Sequence, residues 1–516
     1  MKGANMFSKA YSAAVNGIDG IIVSVEADVS DGLPIFDLVG YLGSEVREAR
    51  ERVRISLKNS GYQLPAKRIT INLSPADLRK EGTAFDLPIA IAILTAFGYI
   101  PQENLNKTIF IGEMSLNGKI NKVNGVLPIV YNAYKLGFKR CVVPFENVKE
   151  GAVVQGIDVY GVNNLQEAVR FLNNETILEP YFIHTEDLSF IREDMDNLDF
   201  SDVTGQELAK RAIEIAVSGM HNLLMIGPPG AGKTMLAKRI PTIMPELNFE
   251  ESLEISKIYS VSGLLNNNCS LIKKRPFRSP HHTITAAALA GGGRTPIPGE
   301  ISLAHLGVLF LDEFPEFNRN TIEILRQPLE ENEVTIARLY GTYKYPADFM
   351  LVAAMNPCSC GYYPDRNKCN CSINQVKRYI GKISRPLLDR IDICIEALQV
   401  NYKELENHKL SETSENIRKR IMAARDIQLE RYKDEIFYFN SQLTPKTISR
   451  YCKLGKKEKS LIEKAFTKMN LSARAYHRIL KVSRTIADLD GSEDIKEKHL
   501  SEAICYRSLD RKYWED

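Results

Sequence analysis

The segment Asn222–Leu236 reads NLLMIGPPGAGKTML and decides the fold of the chain. Its apolar start predicts a buried strand, its glycine-rich centre a tight loop, and its end a helix. Glycines let backbone N–H groups approach phosphate oxygens, a lysine neutralises the β- and γ-phosphates, and a threonine ligates Mg²⁺. The segment therefore predicts a binding site for ATP and Mg²⁺. Its residues are Gly227, Pro228, Pro229, Gly230, Ala231, Gly232, Lys233 and Thr234.

Two further apolar runs end in polar residues. Gly307–Glu313 reads GVLFLDE and Phe349–Asn356 reads FMLVAAMN, and both predict buried parallel strands. Ligands of α/β sheets bind at the carboxyl ends of strands. Asp312 is therefore expected to hold Mg²⁺ through water, and Glu313 to orient and polarise the attacking water. Asn356 is a candidate partner for the γ-phosphate or that water, although a polar residue at a strand end is also a common turn former.

The composition is that of a globular protein with several domains. The chain has 516 residues, 44% hydrophobic and 25% charged, with a net charge of +3 and nine cysteines. Nine cysteines exclude a disulfide scaffold. The longest apolar run, Leu87–Ile100, is shorter than the roughly 18 residues of a membrane span. No signal peptide is recognisable, so a cytoplasmic protein without membrane contact is expected.

The chain divides into four predicted parts. Residues 1–175 mix strands and helices, including a strand over Ile18–Val29 and a helix over Ser44–Ser60. Residues 176–202 form an acidic linker, because Tyr181–Asp202 holds seven acids against one arginine. Residues 203–400 alternate strands and helices as an α/β core does. Residues 401–516 show an almost purely helical pattern.

The motifs GPPGAGKT, GVLFLDE, AAMNP and RPLLDRID together resemble those of an AAA+ ATPase. More narrowly, the chain resembles the magnesium-chelatase-like branch and its YifB/ComM family, most specifically in RPFRSPHHTITAAALAGGGRTPIPGEISLAHLGVLFLDE. The resemblance implies a P-loop core with a C-terminal helical lid that assembles as a ring, expected to be a hexamer. It also implies similarity to branch-migration helicases that act on DNA in recombination and natural transformation, with recombination proteins as possible partners.

The same resemblance suggests two arginine roles. Arg390, in PLLDRID, matches the arginine finger that reaches into the site of a neighbouring subunit. A guanidinium suits that role because it is planar and spreads its charge over several donors. Arg474, in LSARAYHRIL, matches the sensor-2 arginine of the helical lid. For either arginine considered alone, a surface salt bridge is the commoner interpretation.

The N-terminal part resembles the proteolytic domain of Lon, an α+β domain of the ribosomal S5 domain 2 type. The similar segments are Gly112–Glu150 and Lys80–Ile93. The nucleophilic serine of Lon falls at Ala84 or Phe85 of this chain, and its lysine falls at Leu127. Since Ser–Lys catalysis needs a nucleophile and a base, we expect no protease activity. A ring-stabilising or DNA-engaging role is expected instead, as in RadA-type factors.

Four of the nine cysteines form a C-x-C-x₈-C-x-C pattern within fourteen residues. They are Cys358, Cys360, Cys369 and Cys371. A Cys₄ cluster in a reducing compartment suits tetrahedral Zn²⁺. The alternative is a set of free or redox-active thiols.

Three segments are locally basic. Ser441–Asp490 has twelve Lys/Arg against four acids, Ser270–His282 has four and no acid, and Gly361–Arg385 has six against one. Such segments suit a phosphate backbone, although most charge runs are solvated helix faces. A hairpin predicted over Glu333–Leu351 adds Arg338 and Lys344 as candidate DNA contacts. With no base-reading motif present, any DNA binding is expected to be independent of sequence.

The residues and the resemblance together predict an ATP-dependent motor that moves along DNA, with branch migration as its expected activity. Two alternatives stay open at this point. One is a chelatase-type subunit that remodels a partner enzyme inserting Mg²⁺ into a porphyrin. The other is an ATP-dependent switch that binds recombination proteins without moving along DNA.

Overall fold

The computed structural model describes residues 6–183, 198–265, 271–293, 296–338, 341–399, 411–469 and 471–514. Within these ranges the chain forms two large sheets, three small two-stranded ones and a helical C-terminal region. The strands are β1 Phe7–Asn16, β2 Asp19–Ser30, β3 Phe36–Val39, β4 Arg68–Ser74, β5 Thr108–Phe110, β6 Glu113–Met114, β7 Ile120–Asn121, β8 Arg140–Pro144, β9 Asp158–Val162, β10 Leu223–Ile226, β11 Phe277–Arg278, β12 Gly291–Gly292, β13 Ile297–Pro298, β14 Val308–Leu311, β15 Glu333–Arg338, β16 Gly341–Pro346, β17 Met350–Met355 and β18 Ile393–Glu396.

The helices divide between the two sheets and the C-terminal region. They are α1 Ser44–Asn59, α2 Asp86–Ala96, α3 Val126–Lys135, α4 Val148–Gly151, α5 Leu165–Leu172, α6 Glu207–Gly219, α7 Lys233–Ile243, α8 Phe249–Val261, α9 Ala286–Ala290, α10 Glu300–Leu303, α11 Arg319–Glu323, α12 Pro328–Glu331, α13 Ile373–Ile380, α14 Arg385–Leu388, α15 Ser414–Arg431, α16 Pro445–Tyr451, α17 Lys456–Lys468, α18 Ala473–Leu489, α19 Glu497–Cys505 and α20 Ser508–Trp514. None of the helices in the described ranges is long and apolar enough to cross a membrane.

The N-terminal sheet has seven strands in the order β3-β4-β2-β1-β5-β8-β9. Strands β1, β2 and β4 pair antiparallel, and the outer strands on both sides pair parallel. Alternation of buried and partly exposed residues along β4 gives that sheet one core face. Helix α2 is buried along its whole length against the sheet, as its unbroken apolar sequence predicts. The predicted strand over Ile18–Val29 and the predicted helix over Ser44–Ser60 are confirmed by β2 and α1.

The second sheet has five parallel strands in the order β11-β14-β17-β10-β18. Its strands are apolar and mostly buried because helices cover both faces, as in other parallel sheets. The three strands predicted from NLLMI, GVLFL and FMLVAAM are its central members. The order places the glycine-rich loop after β10 beside the polar ends of β17 and β14.

The C-terminal helices share a core with the second sheet. Ile417 and Ile421 of α15 lie in one apolar cluster with Ile213 of α6 and Ile240 of α7. The prediction of a helical region after residue 400 is confirmed for the described residues. Because its core is continuous with that of the sheet, movement of this region would also repack α6 and α7.

Part of the predicted acidic linker belongs to the ordered core. Residues 184–197 lie outside the described residues, but Phe200 is fully buried in the core of the second sheet. The Asp199 carboxylate accepts hydrogen bonds from Ser201 N and Ser414 N, and the Asp202 carboxylate lies 2.8 Å from Arg239 Nη2. These two acids therefore pack against the start of the second sheet's core. The remaining domain boundaries stay predictions.

Candidate nucleotide and metal sites

The predicted nucleotide residues meet at the carboxyl edge of the five-stranded sheet. Gly227, Asp312 and Asn356 directly follow β10, β14 and β17, and Ile226 pairs with Met355 in register. Gly227 N donates to Met355 O at 3.1 Å, which joins the loop to the end of β17. The cavity between them measures about 430 Å³. It is lined by Pro229, Gly230, Ala231, Gly232, Lys233, Thr234, Met235, Asp312, Glu313, Met355 and Asn356.

Lys233 is held over the loop by three oxygen acceptors. Its Nζ donates to Gly227 O at 2.7 Å, Pro228 O at 3.0 Å and Asn356 Oδ1 at 3.1 Å. The side chain is only 8% exposed, and burial lowers the pKa of its ammonium group while the charge of Asp312 works against that shift. An anionic phosphate in the cavity would favour the charged form further. The hydrogen bond from Lys233 Nζ also joins Asn356 to the glycine-rich loop.

Thr234 and Asp312 supply the oxygen atoms that a Mg²⁺ ion needs. Thr234 Oγ1 donates to Asp312 Oδ2 at 2.6 Å, and Asp312 Oδ1 accepts from Glu313 N at 2.9 Å. A hydroxyl and a carboxylate are ligands that Mg²⁺ prefers, with water and phosphate oxygens completing its shell. The donor set therefore fits Mg²⁺, which when bound beside phosphates neutralises their developing charge.

The loop backbone is shaped to receive an anion. Gly232 precedes α7 with φ +77°, a left-handed conformation that favours glycine, and a Cβ there would meet nothing within 4 Å. The N-terminus of α7 opens into the same cavity, and helix N-termini attract phosphate. Gln206, which the motif search missed, braces the loop because its Nε2 donates to Ala231 O at 3.2 Å.

Glu313 has a partner that sequence reasoning also missed. His282 Nδ1 lies 3.2 Å from Glu313 Oε2. The imidazole ring packs against His281 at a centroid distance of 4.1 Å and edge-on to Phe317 at 6.4 Å. Glu313 itself adopts a left-handed backbone with φ +51°, which turns its side chain away from the line of β14. The ring is thus fixed by packing and holds a carboxylate that is otherwise 58% exposed.

Arg390 and Arg474 lie away from this cavity. Both line a cleft of about 500 Å³ that shares no lining residue with the nucleotide cavity. Asn222 and Asp392, which precede β10 and β18, line the same cleft, so it lies at the amino edge of the sheet. Asn222 and Gly227 are five positions apart along extended chain, roughly 16 Å at the usual strand rise.

Each arginine in this cleft has an acidic neighbour. Arg390 Nη2 contacts Glu330, and its buried Nε has no hydrogen-bond partner among the described residues. Arg474 Nη1 lies 3.7 Å from Asp389 Oδ2 and stays 64% exposed. The structure therefore does not bring either arginine to the nucleotide cavity of its own chain.

The four predicted cysteines converge directly beyond Asn356. Their Sγ atoms lie within 4.8 Å of one another, with separations of 3.3 Å for Cys358–Cys360, 3.5 Å for Cys360–Cys369 and 3.8 Å for Cys358–Cys369. In a tetrahedral Zn–S₄ site with bonds of about 2.3 Å the sulfurs are roughly 3.8 Å apart. These are the only four His, Cys, Asp or Glu side chains of the described residues that group in this way.

Surrounding groups support metal binding by the cluster. Tyr363 N donates to Cys358 Sγ at 3.4 Å, and Arg366 Nη1 donates to Cys371 O at 2.8 Å. At Cys360, burial works to raise the thiol pKa, but hydrogen bonds from the Tyr362 backbone and the neighbouring thiols lower it to about 6. Burial and the neighbouring Cys360 and Cys358 thiols instead raise the pKa of Cys369. A thiolate is the form that binds a metal. The cluster thus fits a thiophilic divalent cation.

The residues at the Lon-like positions carry no catalytic atoms. Leu127 is fully buried, and its backbone N–H donates to Glu150 Oε1 at 2.9 Å. Ala84 lines a cavity of about 670 Å³ together with Tyr343 of β16. Strand β16 of the predicted hairpin therefore packs beside the N-terminal domain. Loss of protease activity stays a prediction.

Much of the predicted basic surface is used within the fold. Arg275 Nη2 lies 3.2 Å from Glu251, and Arg278 Nε lies 2.6 Å from Glu300. In the lid, Arg484 is buried against Asp488. Arg275 and Arg278 are therefore paired within the protein, and DNA contact by the Ser270–His282 segment stays a prediction.

The candidate DNA contacts of the hairpin are also engaged. Lys344 Nζ donates to Glu333 Oε1 at 2.7 Å, and Arg338 Nε donates to Gly293 O at 3.4 Å. Both side chains are nevertheless exposed at the protein surface. Their contact with DNA stays a prediction.

The strand order β11-β14-β17-β10-β18 is that of an AAA+ ATPase. The phosphate-binding loop follows β10, which lies between β17 and β18 in the sheet. Three family models match consecutive parts of the chain. "Subunit ChlI of Mg-chelatase" matches residues 25–147, "Magnesium chelatase, subunit ChlI" residues 199–405, and "Magnesium chelatase, subunit ChlI C-terminal" residues 411–507. The chain belongs to the YifB/ComM family of magnesium-chelatase-like AAA+ proteins.

Its relatives cover nearly the whole chain. Competence protein ComM of Haemophilus influenzae is 44% identical over 504 residues, 97% of each chain. The uncharacterised protein YifB of Escherichia coli is 41% identical over 506 residues, again 97% of each chain. DNA repair protein RadA of Bacillus subtilis is 39% identical over 176 residues, 33% of this chain and 36% of its own.

Proposed function

We propose that the protein is an ATP-dependent DNA translocase that works as a homohexameric ring and migrates branched DNA in recombination. Lys233, Thr234 and Asp312 hold ATP and Mg²⁺, and Glu313 orients the attacking water. Names of the relatives support a link to DNA, since one is a competence protein and another a DNA repair protein. The activity belongs in the cytoplasm, where thiols stay reduced.

The positions of the two arginines support a ring. A nucleotide at Lys233 is on the opposite sheet edge from Arg390, so only a second copy can bring Arg390 to it. Arg474 lies in the same cleft, so we propose that it also serves the neighbouring site.

One observation carries the DNA part of the proposal. Lys457, Lys464 and Lys468 of α17 fall on one stripe, within about 40° of each other at 100° per residue. Ile462, the buried residue of that helix, lies on the other side. All three lysines are exposed, and none has an acidic partner among the described residues. Such a stripe can follow a phosphate backbone without reading its sequence.

The test compares ATP hydrolysis with and without a four-way DNA junction and follows strand movement on a labelled junction. We expect the junction to stimulate hydrolysis, and Glu313→Gln to abolish both hydrolysis and strand movement. Lys233→Ala should abolish nucleotide binding. Absence of DNA binding at low salt would contradict the proposal.

We also propose that the four-cysteine cluster binds one Zn²⁺ per chain. Its support is the convergence of four sulfurs at separations close to those of a Zn–S₄ centre. Metal analysis of the purified protein should give about one zinc per chain, because a closed Cys₄ site holds its ion tightly. Protein without zinc, together with a Cys358→Ser variant of unchanged stability, would refute this assignment.

A second candidate function is a chelatase-type ATPase that remodels a metal-inserting partner. The observation that favours it is the match of chelatase-subunit models to three successive segments. The same assay separates the two functions. A chelatase-type ATPase hydrolyses ATP at a rate that branched DNA does not change.

A further inference from the structure

The cysteine cluster and the nucleotide cavity are built from adjoining pieces of chain. Asn356, whose Oδ1 accepts from Lys233 Nζ at 3.1 Å, is separated from Cys358 by one residue. Cys358 is fully buried and Asn356 follows directly on β17. A metal ion that fixes Cys358 therefore also restricts the residue that contacts the phosphate-binding lysine.

A second contact joins the cluster to the phosphate loop itself. Gly361 lies between the two cysteine pairs with φ +88°, and a Cβ built on it would lie 2.5 Å from Pro229 Cδ. Gly361 N also donates to Cys358 O at 3.0 Å, so this turn is part of the cluster. The cluster thus packs on one wall of the nucleotide cavity with no space for an added carbon.

Helix α13, which follows the cysteine cluster, also packs against the end of β17. Burial raises the pKa of Tyr379 of this helix, while a backbone hydrogen bond to Asn356 works to lower it. Cys358, Cys369 and Tyr379 belong to one apolar cluster with Met355 at the end of β17. Packed interiors transmit small displacements, because they have few voids to absorb them.

From these contacts we propose that the four-cysteine metal site is an allosteric site for nucleotide binding. Occupancy by a thiophilic divalent cation, of which Zn²⁺ is the best fit, fixes Asn356 and the Pro229 wall and so strengthens ATP and ADP binding. The inference rests on the zinc site proposed above. Because linkage is reciprocal, bound nucleotide must tighten metal binding by the same factor.

The experiment measures two equilibrium constants on the full chain. One is the dissociation constant of a fluorescent ADP analogue for the zinc-loaded protein, for protein stripped by a chelator, and for stripped protein resupplied with Zn²⁺. The other is the zinc affinity, from competition with a colorimetric chelator, with and without ADP. We expect metal loss to weaken nucleotide binding about tenfold or more, within the usual range of allosteric coupling, and readdition to restore it. ADP should strengthen zinc binding to the same extent.

A glycine variant keeps the test independent of damage to the cysteines. Gly361→Ala leaves all four thiols in place, and we expect it to retain zinc while binding nucleotide more weakly. Gly491→Ala is the matched control, because Gly491 also has a positive φ, +61°, but nothing within 4 Å of its added Cβ. Zinc-loaded and stripped proteins with equal nucleotide affinity would overturn the linkage and leave the zinc site standing. A chain that binds no metal would overturn both.

Discussion

His282 Nδ1 lies 3.2 Å from Glu313 Oε2, so the acid expected to orient water is itself oriented by a histidine from the segment after β11. The partners differ by 31 positions in the sequence, and packing against Phe317 fixes the ring. Glu313 is a long and largely exposed side chain. Without its partner it would have several rotamers to sample.

We expect His282→Ala to lower kcat for ATP hydrolysis about tenfold, since misplaced catalytic groups typically cost that much or more. KM for ATP should stay the same, because His282 does not line the nucleotide cavity. Steady-state kinetics at saturating Mg²⁺ checks both values. His282→Asn keeps a donor and should recover much of the loss. A larger KM with unchanged kcat would show that the histidine acts on binding instead.

Arg390 offers a test of action between subunits. We expect Arg390→Ala to bind a fluorescent nucleotide normally but to lose hydrolysis by a factor of about 10³ or more, as arginine fingers do. Mixing it with Glu313→Gln should restore part of the activity, because some sites then combine an intact Glu313 with an intact Arg390 of the neighbour. Arg378→Ala, which changes an exposed arginine of α13, is the control. Failure of the mixture to hydrolyse ATP would argue that Arg390 does not act in trans.

The nucleotide cavity could be predicted from sequence because its parts are local. Asp312 and Asn356 directly follow apolar strands, and Lys233 begins the helix after the loop that follows a third strand. Parallel strands end at one edge, so the three residues had to meet. The position of Arg390 relative to that cavity could not be predicted. It depends on β18, a short strand that was not predicted from the sequence, and on its parallel pairing with β10, which puts Arg390 at the amino edge.

The partners of the charged side chains were the least predictable feature. A count of basic residues does not reveal that Arg278 is paired with Glu300, 22 positions later in the sequence. Nor does it reveal that Lys481 donates to Ser441 O from a half-buried position, where burial lowers its pKa. The His282–Glu313 contact could not be predicted either, because it forms between loops at the ends of neighbouring strands. Such pairings depend on tertiary packing.

The lysine stripe of α17 predicts a salt-dependent phenotype. We expect the double variant Lys457→Ala/Lys464→Ala to bind a DNA junction more weakly and to lose roughly two units from the slope of log K against log salt, about 0.9 for each lost phosphate contact. Hydrolysis without DNA should be unchanged, since neither lysine lines the nucleotide cavity. Fluorescence anisotropy across a salt series gives the slope.

The control for that experiment removes two lysines that already have partners. Lys419 lies 2.8 Å from Glu415 and Lys433 lies 2.7 Å from Glu430, all on the helical region. Their charges are compensated within the protein, so Lys419→Ala/Lys433→Ala should leave the slope close to that of the unmodified chain. Equal slopes for the two double variants would exclude the stripe as a DNA contact.

Asp392 predicts a pH dependence of stability at the amino edge of the sheet. Burial works to raise its pKa, but a hydrogen bond from His221 and the charges of His221, Arg478 and Lys481 lower the pKa to about 2. Asp392 Oδ1 lies 3.5 Å from Arg478 Nε, and Asn222 N donates to Oδ2 at 3.3 Å. The carboxylate is therefore more acidic when folded than in an unfolded chain, where the pKa is about 3.9.

An acid with a lowered pKa stabilises the fold above its unfolded pKa and loses this effect as the pH falls toward the folded value. A difference of about two units corresponds to roughly 2–3 kcal/mol at neutral pH. We expect Asp392→Asn to lower the melting temperature at pH 7, because it leaves Arg478 beside a neutral group. The deficit should shrink as the pH is lowered from about 5 to 2, because the unfolded chain binds a proton at Asp392 at a higher pH than the folded protein does. Thermal melts of both proteins over this pH range measure the difference in melting temperature. A difference that stays constant with pH would mean that Asp392 stabilises the fold through shape and not through charge.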